Sequence, residues 1–485
     1  MSSATIHSGS RHSSLLRLGT SVLSLCLIFG LSIVFWLVWA APDLAPFLTI
    51  VLVGTVGFVI LFQFPLLNLW LVLSSFVLIA DFEEGFQVTE ILYGLYYLSF
   101  LGHWYFTRLF LYHEAVFRRP EERTLVIFFV LISLSFLLTI LFNGSFSGFV
   151  SEWLSLSFLG LYFPIREAIE RNRRGLVAVL SAVVLVGLYV LIRNVLNFQD
   201  VISNAEYAYE VARGRAVTNE SLLIVPAILS LVFMLFQTRW IPRLSFAALF
   251  LAFFAGVLLT QSRGYWLAFL MAGLIILLIV PFRQKLMLTI SAIVAIAGVV
   301  VIGTAVFGDA ILLLVYGVAE RFLSILTATT SDISLVNRFT EAMGVWEYVR
   351  LNPILGYGMG VEYRVNDIIY DVTIVKTFIH NGYIALWYKF GIWGMGMMLF
   401  FLGSVIRRAY LVFRSKNLES TVRLGGLVVV ASLTAFSVSA LTSNPVYIND
   451  AMFIISVLAG IGGGCWSLKL MRDESPSENR LSSTH

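Results

Sequence analysis

The sequence is poor in charge: of its 485 residues only 12% are Asp, Glu, Lys or Arg, about half the share in a soluble domain. It also lacks the polar, Pro- and Gly-rich linkers that separate soluble domains in a chain this long. Cysteine is nearly missing. Cys26 and Cys465 sit in apolar runs near opposite ends, so the chain has neither a disulfide framework nor CxxC-type ligand spacing. The six histidines, His7, His12, His103, His113, His380 and His485, include no pair at metal-ligand spacing on a helix. There is no fixed-period repeat and no low-complexity tract. These absences exclude a soluble enzyme, a disordered scaffold and a structural zinc protein. The net charge of +4 and pI near 9.0 do not make a nucleic-acid module, because the basic residues are parcelled out between apolar runs.

What the chain has instead is hydrophobicity, 59% of residues, with a mean hydropathy of +0.91. Apolar runs long enough to cross a bilayer as helix recur from end to end. The expected spans are 18–41, 46–62, 66–80, 88–107, 124–142, 146–164, 175–192, 220–237, 244–261, 264–281, 286–307, 381–406, 422–441 and 451–468. The second and third are short enough to be re-entrant. The expectation is therefore an all-α polytopic membrane protein of 12–14 transmembrane helices, since only helices and closed barrels satisfy their backbone in lipid and these runs are too long for barrel strands. The first run follows Arg11 and Arg17 and is longer than a signal-peptide core, so it reads as an uncleaved first span.

Basic residues orient the chain. With the N-terminus cytoplasmic, 22 of the 32 Lys and Arg residues fall in inner segments. The other ten, Arg193, Arg213, Arg215, Arg263, Arg321, Arg338, Arg350, Arg364, Lys376 and Lys389, fall outside or at the outer edge. This yields a cytoplasmic tail at 1–17, a helical bundle at 18–307 with an outer loop at 193–219, a large outer loop at 308–380, C-terminal helices at 381–470 and a cytoplasmic tail at 471–485.

A loop as long as 308–380 carries function or structure of its own. Within it, Asn337 to Arg350 reads as an amphipathic helix with Phe339, Met343, Trp346 and Val349 on one face, Asn337 as N-cap and Asn352-Pro353 as its stop. The run Gly356-Tyr357-Gly358-Met359-Gly360 lacks the Lys-Ser/Thr of a phosphate loop and reads as a tight turn. The glycines at 391, 394 and 396 and at 460 to 464 read as close helix packing. Glu83-Glu84 invites a glycosidase-type pair, but no partner carboxylate is placed opposite.

Three residues stand out chemically. Arg263, in Thr260-Gln261-Ser262-Arg263-Gly264, sits between two spans with almost no loop, and an arginine at such depth is costly unless it binds something. It either faces an anion in an outer cavity or snorkels to lipid headgroups. Arg338 opens the amphipathic helix, where a guanidinium fork and helix N–H groups favour phosphate; the alternatives are a solvated arginine or a salt bridge to Glu341. His380, in His380-Asn381-Gly382-Tyr383 before the next span, is the one histidine on the outer face. It is either a proton acceptor or an interfacial residue that bonds backbone or headgroups, a structural cap for the helix beginning near Asn381 being one such role.

Taken in order, Ser262-Arg263-Gly264, Arg338, the turn Asn352-Pro353-Ile354-Leu355-Gly356-Tyr357-Gly358, His380-Asn381-Gly382-Tyr383 and Gly391-Ile392-Trp393-Gly394 resemble the bacterial O-antigen ligase and O-antigen polymerase superfamily, over about residues 220–405. The resemblance implies a GT-C-like helical glycosyltransferase of the bacterial inner membrane that needs no metal, nucleotide or other cofactor. It implies a glycan donor on undecaprenyl diphosphate, a glycan or lipid acceptor hydroxyl, and transfer on the periplasmic face, with membrane lipids and no nucleic acid as further partners. By motif, Arg263 and Arg338 would hold the diphosphate and His380 would activate the acceptor. A polymerase using the same donor is the nearest alternative, and a small-solute or inorganic-carbon transporter a more distant one.

Overall fold

The computed structural model describes residues 57, 60–79, 88–204, 219–308, 312–313, 315–319, 333–367 and 372–474. The expected first span, most of the second, Glu83-Glu84 and the two tails up to 17 and from 475 lie outside the described residues. The chain divides into two units, Met1–Leu69 and Trp70–His485, and all three candidate site residues belong to the second.

Every span expected from residue 66 onward is a helix. In order these are α1 (Pro65–Ser74), α2 (Val88–Phe106), α3 (Pro120–Leu141), α4 (Phe146–Ser157), α5 (Tyr162–Arg171), α6 (Arg173–Asn204), α7 (Ser221–Phe236), α8 (Trp240–Leu259), α9 (Arg263–Ile279) and α10 (Phe282–Phe307), then α11 (Ile333–Leu351), the strands β1 (Tyr363–Asp367) and β2 (Val372–Lys376), and α12 (Gly382–Arg414), α13 (Ser420–Ser439) and α14 (Asn449–Glu474). Among the described residues eight helices are long and apolar enough to cross a membrane, and three shorter apolar ones accompany them. The protein is an all-α polytopic membrane protein. Both outer loops differ from the sequence expectation. Helix α6 runs on to Asn204, so the first half of the expected loop at 193–219 is helical. The large loop carries an antiparallel hairpin, Tyr363 opposite Lys376 and Asp367 opposite Val372, which its mixed composition does not announce.

Burial sorts the helices. Helix α14 is buried along most of its length; a Cβ added at Gly460, Gly462, Gly463 or Gly464 would lie 2.6–2.8 Å from Ile165, Val405, Tyr162 or Ile169 side chains. Small residues here let backbones approach, as membrane helices require. Helix α10, in contrast, exposes Ile290, Ile293, Val294, Ile296 and Val301, the surface a lipid-facing helix presents.

One end of the bundle, the basic end, is tied by ion pairs. Arg166 meets the fully buried Glu122, Arg408 meets Glu121, Arg173 meets Glu419, and Arg171 Nε lies 2.7 Å from Glu167. The other end is organised around a break in α12. At 33 residues and about 1.5 Å per residue, α12 is some 50 Å long, well beyond the ~30 Å hydrocarbon layer. It breaks at Gly391 (φ 64°, ψ −172°), a left-handed conformation that glycine tolerates. The break, not helix packing, is the reason for that glycine. It leaves the carbonyls of Tyr388 and Lys389 open, and the N–H groups of Tyr357 and Gly358 donate to them at 2.8 and 2.9 Å. The N–H of Ile392 in turn donates to Pro353 O at 2.9 Å.

The turn at 356–360 is thus threaded between helices, its three glycines all at positive φ. A Cβ at Gly391 would lie 1.9 Å from Ile354 O. Gly391→Ala is therefore expected to destabilise by about 3 kcal/mol or more, the sum of left-handed strain and overpacking. A thermal unfolding curve in detergent that matches wild type would show that the turn is not held by the break.

Candidate functional site

The elements at this end are held by the loop between α13 and α14. Gly382 N–H donates to Ala440 O at 2.9 Å, Asn381 Nδ2 to Leu441 O at 2.9 Å, and the buried Asn444 donates through Nδ2 to Ile379 O at 2.7 Å. Both flanks of His380 are thereby fixed. Arg338, on the second turn of α11, donates through Nη1 to Thr442 O at 2.7 Å. One four-residue stretch, 441–444, therefore touches the base candidate's neighbours and one of the two arginines.

Arg263 is the first residue of α9, with Ser262 at its N-cap position. The chain reaches it through a tight corner: Gln261 has φ 47°, and Trp266 Nε1 donates back to Val257 O at 2.9 Å. Two residues on, the Tyr265 hydroxyl lies 2.8 Å from Ser221 Oγ at the start of α7. Ser221 N–H donates to the buried Asp450, at the start of α14, at 3.3 Å. The starts of α7, α9 and α14 thus meet at the same end of the bundle, opposite the basic end. Arg338 and both neighbours of His380 are tied to the 441–444 stretch, whereas the described contacts near Arg263 run from Tyr265 through Ser221 to Asp450.

Helix α11 differs from its expected form. It begins at Ile333, so Asn337 lies inside it and is not its cap; Asn352-Pro353 does end it. Its buried stripe is Glu341, Val345 and Val349, whereas Phe339 and Met343 are exposed. The stripe docks on Tyr363, Val365, Ile379, Ala385 and Tyr388. Spacing alone favours the more apolar face, but the face with a carboxylate at its head is the one turned inward, because that carboxylate has partners waiting.

Glu341 is 3% exposed. Its Oε2 accepts from His380 Nδ1 at 2.7 Å and from the His380 backbone N–H at 3.0 Å. Its Oε1 lies 2.9 Å from the Tyr363 hydroxyl and 3.7 Å from Lys376 Nζ. The Tyr363 hydrogen is shared with Phe378 O at 2.7 Å. Burial by itself would raise the Glu341 carboxyl, but the hydrogen bonds from the His380 ring and backbone and from Tyr363 leave it lowered overall. It is an anion at neutral pH. Since its folded value lies below the ordinary glutamate range, the stability it contributes is present above that range and lost only as pH falls through the lowered value. Tyr363, pushed up by burial and by the Glu341 charge, stays protonated and donating.

His380 does not cap α12. Asn381 does so itself, its side-chain oxygen accepting from the N–H groups of Tyr383 at 3.1 Å and Ile384 at 3.0 Å. The His380 side chain keeps 36% of its surface exposed, enough to meet a substrate.

A second carboxylate, part-exposed, supports the turn. Lys389, 1% exposed within α12, pairs with Glu152 of α4 and lies 5.3 Å from the Tyr447 ring centroid. Glu152 Oε2 also accepts from Gly360 N–H at 3.1 Å. The N–H groups of Tyr357, Gly358 and Gly360 are thus all taken by protein acceptors, which leaves no phosphate cradle there. Lys389→Met would leave the half-buried Glu152 without its cation and is expected to lower the thermal midpoint, by less than the ~3–5 kcal/mol of breaking a fully buried pair; an unchanged midpoint would mean water replaces the lysine.

Tyr363, Glu152 and the 440–450 loop were not marked by the sequence, and Glu341 was marked there only as a salt-bridge partner for Arg338. Their signals there are faint: a glutamate four and eight residues before two valines, a lysine inside an apolar run, and Ser443-Asn444-Pro445 with Asp450 between two spans.

A polytopic helical bundle with a buried glutamate bonded to a histidine at the end away from its basic loops is a membrane protein with polar groups collected on one side. Comparison with known proteins says which family it resembles. Residues 247–399 match the family model described as O-antigen ligase, a stretch that contains Arg263, Arg338, Glu341 and His380. An O-antigen ligase of Salmonella typhimurium is 29% identical over 203 residues, which cover 40% of this chain and 46% of that protein. The match thus spans less than half of the relative's length. Over this stretch the chain is similar to O-antigen ligases, the family its motifs resemble.

Proposed function

We propose that the protein is an O-antigen ligase-like glycosyltransferase. In this reading it moves a glycan from undecaprenyl diphosphate to an acceptor hydroxyl on the periplasmic face of the bacterial inner membrane, with both termini cytoplasmic and without a metal. The observation that carries the reading is the stretch 441–444, which holds Arg338 and both flanks of His380 in one assembly. The charge asymmetry between the two ends supports the orientation.

The donor lies in the outer leaflet with its diphosphate at Arg263 and Arg338. Guanidinium forks suit phosphate oxygens bidentately. As the glycosidic bond breaks, negative charge grows on the departing diphosphate, so the arginines bind the transition state more tightly than the ground state. His380 takes the proton from the acceptor hydroxyl. In-line attack inverts the anomeric centre, and the activated sugar supplies the driving force.

The surface glycan of a deletion strain tests this. Loss of attached polymer while lipid-linked polymer accumulates supports a ligase. Single repeat units on an otherwise intact surface point to a polymerase using the same donor. An unchanged glycan profile contradicts both.

A further inference from the structure

Resting on the reading of His380 as the base, we propose that Glu341 is the positioning residue of the reaction: it fixes His380 so that Nε2 faces the acceptor hydroxyl, and it acts on turnover only through His380.

A carboxylate can only accept hydrogen bonds. The hydrogen between Glu341 Oε2 and His380 Nδ1, 2.7 Å apart, therefore sits on Nδ1, and the lone pair of the ring is on Nε2. The His380 backbone N–H donates to the same oxygen at 3.0 Å, so ring and main chain are held together and the ring cannot swing without losing its bond to that carboxylate. The other carboxylate oxygen has its own holders, Tyr363 from β1 and Lys376 from β2.

Burying a carboxylate is costly unless it is fully engaged. A purely structural role would be met by an apolar residue continuing the Val345 and Val349 stripe. Helix capping is already done by Asn381. What a carboxylate adds at this place is a fixed tautomer and a negative charge beside the imidazolium that forms when Nε2 takes the acceptor proton. The bond from the acceptor oxygen to hydrogen breaks, that proton goes to Nε2, and the oxygen's electron pair attacks the anomeric carbon as the diphosphate leaves with the glycosidic electrons. Glu341 stays ionised throughout.

The test is a double-mutant cycle in the full-length protein, purified in detergent, with a lipid-diphosphate glycan donor and an acceptor glycan as substrates. Glu341→Gln keeps the shape but turns an acceptor-only group into one that also donates. It is expected to lower kcat by about 10–100-fold, the usual cost of losing a group that orients a functional histidine, with KM for the donor unchanged. In the His380→Ala background the same substitution is expected to change nothing, because two groups acting through one atom are not additive. Equal losses in both backgrounds, or a raised donor KM with kcat kept, would overturn the proposal.

Full activity of Glu341→Gln beside a crippled His380→Ala would overturn it while leaving His380 as the base. Full activity of His380→Ala would overturn the base reading itself. Should Glu341→Gln not be recovered folded, Tyr363→Phe leaves the carboxylate and removes one of its donors. A smaller loss of kcat, again only when His380 is present, supports the proposal, and a loss independent of His380 contradicts it.

Discussion

Replacing His380 with alanine will lower turnover by about 10²–10⁴-fold, the range a general base contributes, while donor binding changes little. The division of labour follows from the assembly. Arg338 is anchored on Thr442 O and is set by α11, not by the imidazole, so removing the ring leaves its placement intact. The fold is also spared, because Asn381 carries the cap of α12. His380→Asn will therefore fare no better than His380→Ala. Recovery of activity by asparagine in a transfer assay would assign His380 a hydrogen-bonding role and remove it from the chemistry.

Arg263→Lys is expected to lose on the order of 10²-fold in kcat, comparable to removing one donor from an anion-stabilising site, although the charge is kept. A lysine is a point charge and cannot present two parallel N–H groups to a phosphate. Arg263 opens α9, where the first backbone N–H groups add to the positive potential, so the substitution removes geometry and leaves field. A fully active Arg263→Lys enzyme would mean that Arg263 only anchors α9 at the membrane surface.

The bundle was legible because lipid leaves a chain few options: apolar runs of bilayer length must become helices, and every expected span from residue 66 onward did. The large loop stood out by its length, and His380, Arg338 and Arg263 by their positions on the less basic side; the structure ties Arg338 and both neighbours of His380 to one stretch, 441–444. What stayed hidden depends on contacts distant in the chain. Glu341 turns inward because His380, 39 residues later, offers it two N–H donors, and no local pattern reports that. The stripe Phe339, Met343, Trp346 and Val349 is the more apolar choice, yet Phe339 and Met343 are exposed. In a protein surrounded by lipid an exposed apolar side chain costs little, so hydrophobicity stops indicating the inside. Gly391 likewise reads as one of several small residues in a span, and only the returning turn at 353–358 shows that it breaks the helix. Lys389 reads from the sequence as an outer-edge charge; its place in the interior rests on Glu152, 237 residues earlier.

The most direct measurement of the central claim is transfer of a labelled glycan from a synthetic undecaprenyl-diphosphate donor by the purified protein in buffer containing EDTA, with the anomeric configuration of the product read by NMR. The account predicts glycan joined to the acceptor hydroxyl with inverted configuration, at a rate that added divalent cation does not change. Retained configuration, or transfer that appears only when a divalent cation is restored, would contradict it.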